Sequence, residues 1–312
     1  MNILMVGHSG AGKTSYMAGL YKQFGGETDG FGLWMSDSNK RDNLIHLAQG
    51  IERGYYPNGT DIASQYQFYL QFDDELLIPF NWYDYRGGAL SESSKYSPDA
   101  QELLRRMNSA DALIVFLDGA KITQMTDDDL EEEYDILLWA IQNTISKRSS
   151  EGTYFPISFI ITKGDLYPYY DVLLNSPGLN YFMPLIKNIS NSKNAAGMIG
   201  VVEVSKDGIS NVFSPLIFSL YYGMHHYIKA RIESMNAEIE KYNSYDPGLI
   251  DDFFVGLDHL FGGDSKTDRQ LAAESMERIQ EEKQKLENLE ALSSGMEEIL
   301  NKFVEHNMII KF

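Results

Sequence analysis

Near the start of the chain, Gly7-His8-Ser9-Gly10-Ala11-Gly12-Lys13-Thr14 sets glycines, an ammonium group and a hydroxyl at the spacing G-x4-G-K-[ST]. Glycines at 10 and 12 let the backbone wrap closely round a pyrophosphate, so that the N–H groups of Ser9, Gly10, Ala11 and Gly12 face negative charge. Lys13 adds a point charge for the outer phosphates. Thr14 offers a hydroxyl to a magnesium ion, and Ser15 continues the start of a helix whose N-terminus favours anions. The strand-like run Asn2 to Val6 before the loop and the helical pattern after it are the setting this chemistry requires.

Four further signals follow in order. Asp84-Tyr85-Arg86-Gly87 closes the run Leu76 to Tyr83, where an Asp leaving a strand can hold a magnesium-bound water and the Gly87 N–H can meet a γ-phosphate. Thr162-Lys163-Gly164-Asp165 follows the buried-strand pattern of Ile157, Phe159, Ile160 and Ile161. A carboxylate at 165 can accept from both N1–H and the exocyclic amine of guanine, with the Lys163 stem along the base; adenine offers neither donor in that arrangement. Ser205-Lys206, after the strand Met198 to Val204, supplies a loop that can close over the base. Thr60 precedes the alternating strand Gln65 to Phe72, and a Thr on a loop there can complete a magnesium shell when a γ-phosphate is present.

Taken together these residues resemble the Ras-like G domain of the translation-factor-related class of GTPases over about residues 1 to 230: phosphate loop, switch Thr, D-x-x-G and T-K-x-D. The segment before Thr60 and the T-K-x-D variant are similar to the bacterial double-GTPase or conflict-system group. The resemblance implies GTP and GDP as ligands, Mg²⁺ held by Thr14, Thr60 and Asp84, and an antiparallel hairpin of Gln65–Phe72 and Leu76–Tyr83. It also favours Thr60 over Thr28, because Thr60 stands just before that hairpin. Thr60 and Gly87 are then the groups that answer the γ-phosphate. One departure matters: Gly88 stands where Ras-like enzymes commonly carry the Gln that orients the attacking water. A second is the long gap from Lys13 to Thr60, in which Asp37 to Arg53 reads as an inserted helix.

Around these residues the periodicity predicts helices at Thr14–Phe24, Pro98–Met107, Asp127–Ser146 and Tyr169–Asn188, alternating with strands Ala112–Leu117, Ile157–Ile161 and Met198–Val204. The expected fold is α/β, a mainly parallel sheet with helices on both faces, and a C-terminal helical hairpin. Domain boundaries are expected at 1–230 for the G domain and 231–312 for a helical extension, joined through a connector at 246–263. The run Asp127 to Glu133 reads as a solvated helix start capped by Thr126 rather than a metal site. His225-His226 lacks a ligand at matching spacing and reads as structural.

Composition removes several classes. Formal net charge is −19 over 312 residues, which opposes binding to nucleic acid or anionic lipid. With no cysteine there are no disulfides and no thiolate chemistry. No apolar run approaches the roughly 20 residues of a membrane span, and the chain reads as a cytoplasmic protein. The leading expectation is a Mg²⁺-dependent GTPase switch with slow intrinsic turnover, stimulated by a protein partner at the switch loops or helical hairpin, or by a second copy in a dimer. The alternative is a GTP-binding scaffold that does not hydrolyse. A small-molecule kinase is disfavoured, since D-x-x-G and T-K-x-D together have no role in it.

Overall fold

The computed structural model describes residues 1–25, 31–58, 64–72, 75–85, 96–167, 169–224, 233, 236, 268–306 and 309–312. Its chain divides into two compact units, Met1–Met224 with Met296–Phe312, and His225–Gly295. The first carries an eight-stranded sheet. Strand β1 (Asn2–Val6) leads through the glycine-rich loop to helix α1 (Lys13–Phe24). Then come β2 (Phe31–Trp34), α2 (Ser38–Glu52), β3 (Ser64–Phe72), β4 (Glu75–Asp84) and α3 (Pro98–Ser109). They are followed by β5 (Ala112–Asp118), the short α4 (Gly119–Ile122), α5 (Asp127–Glu151) and β6 (Phe155–Thr162). Beyond a single 3-10 turn lie α6 (Tyr170–Leu174), α7 (Pro177–Ser190) and β7 (Ala195–Val201).

Every residue of β5 and β6 is buried, the mark of parallel strands covered on both faces. Strand order is β10-β7-β6-β5-β1-β4-β3-β2, with β10 (Ile309–Lys311) supplied by the chain's end. Strands β4, β1, β5, β6 and β7 run parallel, while β3 on β4, β2 on β3 and β10 on β7 are antiparallel. The expected α/β architecture is therefore present. Strands β2 and β10 were not foreseen, because four and three residues are too few to display a period of two.

Register is what builds the site. Met5 pairs with Asp84 and Asp118 pairs with Thr162, so the C-terminal ends of β1, β4, β5 and β6 stand side by side. Ligands of open α/β sheets bind at that edge, where neighbouring strands diverge to opposite sides. Two buried aromatic anchors fix α1 behind the loop: Tyr16 donates its hydroxyl to the Val212 carbonyl at 2.7 Å and packs edge-on to Phe116 and Trp82.

The helix expected at Tyr169–Asn188 is two helices. Ser176 ends the first and caps the second, its Oγ accepting from Leu179 N at 3.2 Å, and Pro177 takes the first helical position. The residue before a proline disfavours helical backbone, so the break falls there. The strand expected at Met198–Val204 is likewise divided. β7 stops at Val201 and Glu203–Ser205 (β8) pairs with Gly208–Ser210 (β9) in a separate hairpin. Helix α5 begins as read: Thr126 Oγ1 accepts from Asp129 N while Asp129 Oδ2 accepts from Thr126 N, a reciprocal cap.

In the second unit the described residues are helical, and the C-terminal helix Asp268–Glu305 continues from it into the first. The 246–263 connector, His225-His226 and the pairing of a helical hairpin lie outside the described residues. Among the described residues no helix is long and apolar enough to cross a membrane.

Candidate functional site

A cavity of about 420 Å³ opens at the strand ends, within the range of small-molecule sites. One end is the phosphate loop, Gly10, Ala11, Gly12, Lys13, Thr14 and Ser15; the other includes Thr162, Lys163, Asp165, Leu166, Val202 and Val204. Gly10 and Gly12 have φ of 80° and 84°, a left-handed backbone that L side chains rarely adopt, and Gly12 closes α1 at its N-terminus. A Cβ on Gly12 would also press on Thr162 at 3.2 Å. The loop thus passes so near the T-K-x-D turn that only hydrogen fits between them.

Thr162 joins these two halves. Its buried Oγ1 lies 3.0 Å from the Ala11 carbonyl and 3.2 Å from the Leu117 carbonyl. One hydroxyl proton serves two backbone acceptors, from the phosphate loop and from β5. Lys163 follows with φ of 59°, and its Nζ donates to Asp118 Oδ2 at 2.6 Å. Gly164 N donates to the Val202 carbonyl, which ties the turn that presents Asp165 to the end of β7.

Lys13 is buried, and its Nζ donates to the Gly7 and His8 carbonyls at 2.7 and 3.2 Å. Burial lowers its pKa and the nearby Asp84 carboxylate opposes that shift. Asp84 is buried too. Burial pushes its pKa up to about 6, with Lys13 pulling it back. Asp84 Oδ1 has no hydrogen-bond partner among the described residues. A buried acceptor without a donor costs free energy unless a cation or water completes it. Among the described residues no three His, Cys, Asp or Glu side chains gather as a cation cage. Magnesium needs none, since it is commonly held by one or two protein groups with phosphate oxygens and water. Asp84 and Thr14 fit that pattern.

Of the residues singled out from sequence, Gly10 to Ser15, Thr162, Lys163 and Asp165 share the cavity. Ser9 is exposed and faces instead a second cavity lined by His8, Lys121 and Glu133. Ser205 and Lys206 do not line the nucleotide-sized cavity. They belong to the β8–β9 hairpin, where Ser205 Oγ accepts from Asp207 N at 3.2 Å and Lys206 pairs with Asp207. Thr60, Arg86, Gly87 and Gly88 lie outside the described residues, as does Thr28. Sequence reading missed Asp118, although a carboxylate ending an all-apolar strand was a visible signal. It also missed Tyr56, Pro57 and Asn58, which line the cavity from the segment after α2.

His8 occupies the underside of the loop. Its Nδ1 lies 3.7 Å from Glu133 Oε1, Tyr134 meets the ring edge-on at 5.2 Å, and Nε2 is buried with no partner among the described residues. Burial lowers its pKa, Glu133 works against that, and Lys121 and Lys13 add to the lowering.

No protein-family model and no curated protein matches the sequence. Solved structures resemble it at low identity. A signal recognition particle receptor SRb-GTP/SRX complex from Chaetomium thermophilum shares 13% identity at a TM-score of 0.39, covering 65% of this chain and 90% of that one. A small COPII coat GTPase in complex with GDP from Encephalitozoon cuniculi shares 9% at 0.33, covering 73% and 82%. An S. thermophilus NFeoB variant bound to GDP shares 14% at 0.34, covering 71% of this chain and 61% of that one. The fold here is defined by its own strand order and loop geometry.

The buried histidine yields a prediction. A folded-state pKa below the unfolded value of about 6.5 means that the unfolded chain binds the proton more readily. His8 therefore contributes stability that is present above that pH and lost as pH falls below it. Urea denaturation between pH 7.5 and 5 should show a steeper loss for the parent than for His8→Gln. Equal slopes would contradict the buried neutral imidazole.

Proposed function

We propose that the chain is a Mg²⁺-dependent guanine-nucleotide switch that hydrolyses GTP slowly. One observation carries this reading: the phosphate loop and the Thr162–Asp165 turn line a single cavity and are joined through the Thr162 hydroxyl. A phosphate-binding loop alone suits any nucleoside triphosphate. The carboxylate at its far end is what favours guanine, whose N1–H and exocyclic amine form a pair of adjacent donors.

In this reading the backbone N–H groups of Gly10 to Lys13 take the β-phosphate, and Lys13 exchanges the loop carbonyls it now holds for β- and γ-phosphate oxygens. Thr14, Thr60 and Asp84 would hold Mg²⁺, Asp84 through water. When bound, the ion neutralises charge developing on the phosphate oxygens. Thr60 and the Gly87 N–H would answer the γ-phosphate, so that its loss frees their segments and a partner reads the difference. Gly88 leaves no side chain to orient the attacking water. The missing group then comes from a partner protein or a second copy, and if none supplies it the chain serves as a non-hydrolysing GTP-dependent scaffold.

Calorimetry on the whole chain tests the base assignment. GTP and GDP with Mg²⁺ should bind far more tightly than ATP, and Asp165→Ala should weaken GTP by at least about tenfold, or about 1.4 kcal/mol. Equal affinity for GTP and ATP would remove the guanine reading. Single-turnover hydrolysis by the dilute chain should proceed on the order of 10⁻⁴ to 10⁻² s⁻¹. A rate well above about 1 s⁻¹ would reveal a catalytic group in cis and overturn the account of position 88.

A further inference from the structure

We propose that Asp118 is a positioning residue for the base end of the cavity: it holds the Lys163 ammonium away from the ligand and so lays the Lys163 stem along the cavity wall. The inference rests on the guanine-nucleotide reading and names a residue that reading does not use.

Asp118 ends β5 opposite Thr162 of β6, one residue before Lys163. Its side chain is 6% exposed, whereas that of Lys163 is 37% exposed. Both carboxylate oxygens are engaged: Oδ1 accepts from Ala120 N at 3.0 Å and Oδ2 from Lys163 Nζ at 2.6 Å. The carboxylate is thus fixed by its own helix cap before it meets the lysine. Lys163 is also held at its backbone. Its left-handed conformation is set between Thr162, anchored by its hydroxyl, and the turn in which Leu166 N donates to the Lys163 carbonyl at 3.1 Å. With backbone and ammonium both pinned, the four-carbon stem between them has little freedom.

The consequence for the ligand follows from charge and entropy. Asp118 does not line the cavity, but Lys163 and Asp165 do. An unpaired lysine there would sample many rotamers and would be drawn toward phosphate at the loop end. Paired with Asp118, its charge is compensated inside the protein, and it presents methylene surface beside the Asp165 carboxylate. Ordering is completed before a nucleotide arrives, which is how preorganisation raises affinity. The effect belongs to the base and leaves the phosphate and metal end alone.

Asp118→Asn is the informative variant, because an amide oxygen keeps the cap to Ala120 N and loses only the charge. Titrating the full chain with GTP and GDP, at several Mg²⁺ concentrations, should show that Asp118→Asn weakens both nucleotides by the same factor, about fivefold, with the Mg²⁺ response unchanged. Asp118→Asn and Lys163→Met should be non-additive, the double variant losing little beyond Lys163→Met alone. If Asp118→Asn does not fold by circular dichroism, Lys163 variants carry the test: Lys163→Met, which keeps the stem, should lose less GDP affinity than Lys163→Ala. Parent-like binding by Asp118→Asn, a loss confined to GTP, additivity in the double variant, or Met as damaging as Ala would each overturn the proposal while leaving guanine binding intact. Failure of the unsubstituted chain to bind GDP would instead sink the underlying reading along with it.

Discussion

The hydroxyl of Thr162 is the group on which the rest of the site depends. Two stretches of chain about 150 residues apart, the phosphate loop and the base turn, must be held at a nucleotide's length from each other. The contact is short and direct, from Oγ1 to the Ala11 carbonyl at 3.0 Å, with the Leu117 carbonyl as a second acceptor at 3.2 Å. Both carbonyls are buried at the end of the sheet, where losing their donor leaves polar groups that water cannot reach. Close packing reinforces the bond, since Gly12 leaves no room for a side chain against Thr162.

A second constraint comes from burying opposite charges beneath the loop. Lys13 and Asp84 are each only 5% exposed, and burial disfavours the charged form of both. Each partly relieves the other, but Asp84 keeps an oxygen without a hydrogen-bond partner among the described residues. An arrangement of this kind is costly as a structural ion pair. As a binding site it is economical, because incoming phosphate supplies what the ammonium lacks and a divalent cation supplies what the carboxylate lacks.

How far the sequence foretold this depended on the length scale of each signal. Gly10, Gly12 and Lys13 announce themselves because a special backbone and a single charge are local properties. The long buried strands and α5, with its Thr126 cap, are equally legible. Helix α7 was misjudged at its start, since the local chemistry of Ser176-Pro177 overrode a helical period that runs through it. Strands β2 and β10 exist only by tertiary pairing, with β3 and β7 respectively, which no local pattern encodes. Within the site, Asp118 is the instructive omission. Its role depends on register with β6, and register is invisible in a single strand. Ser205-Lys206 shows the reverse case: a position in chain order suggested the cavity, and the Asp207 turn holds both side chains elsewhere.

Thr162→Val is nearly isosteric and removes only the hydroxyl, so it probes the central link without opening a hole. Isothermal titration of GDP into this variant, with its fold verified by near-ultraviolet circular dichroism, measures what joining the two halves contributes. The account predicts a loss of about tenfold or more in affinity from a chain that remains folded, as two buried carbonyls lose their donor and the loop and turn no longer hold their spacing. Parent-like affinity in the folded variant would contradict it, because the phosphate loop and the base turn would then be positioned independently of Thr162.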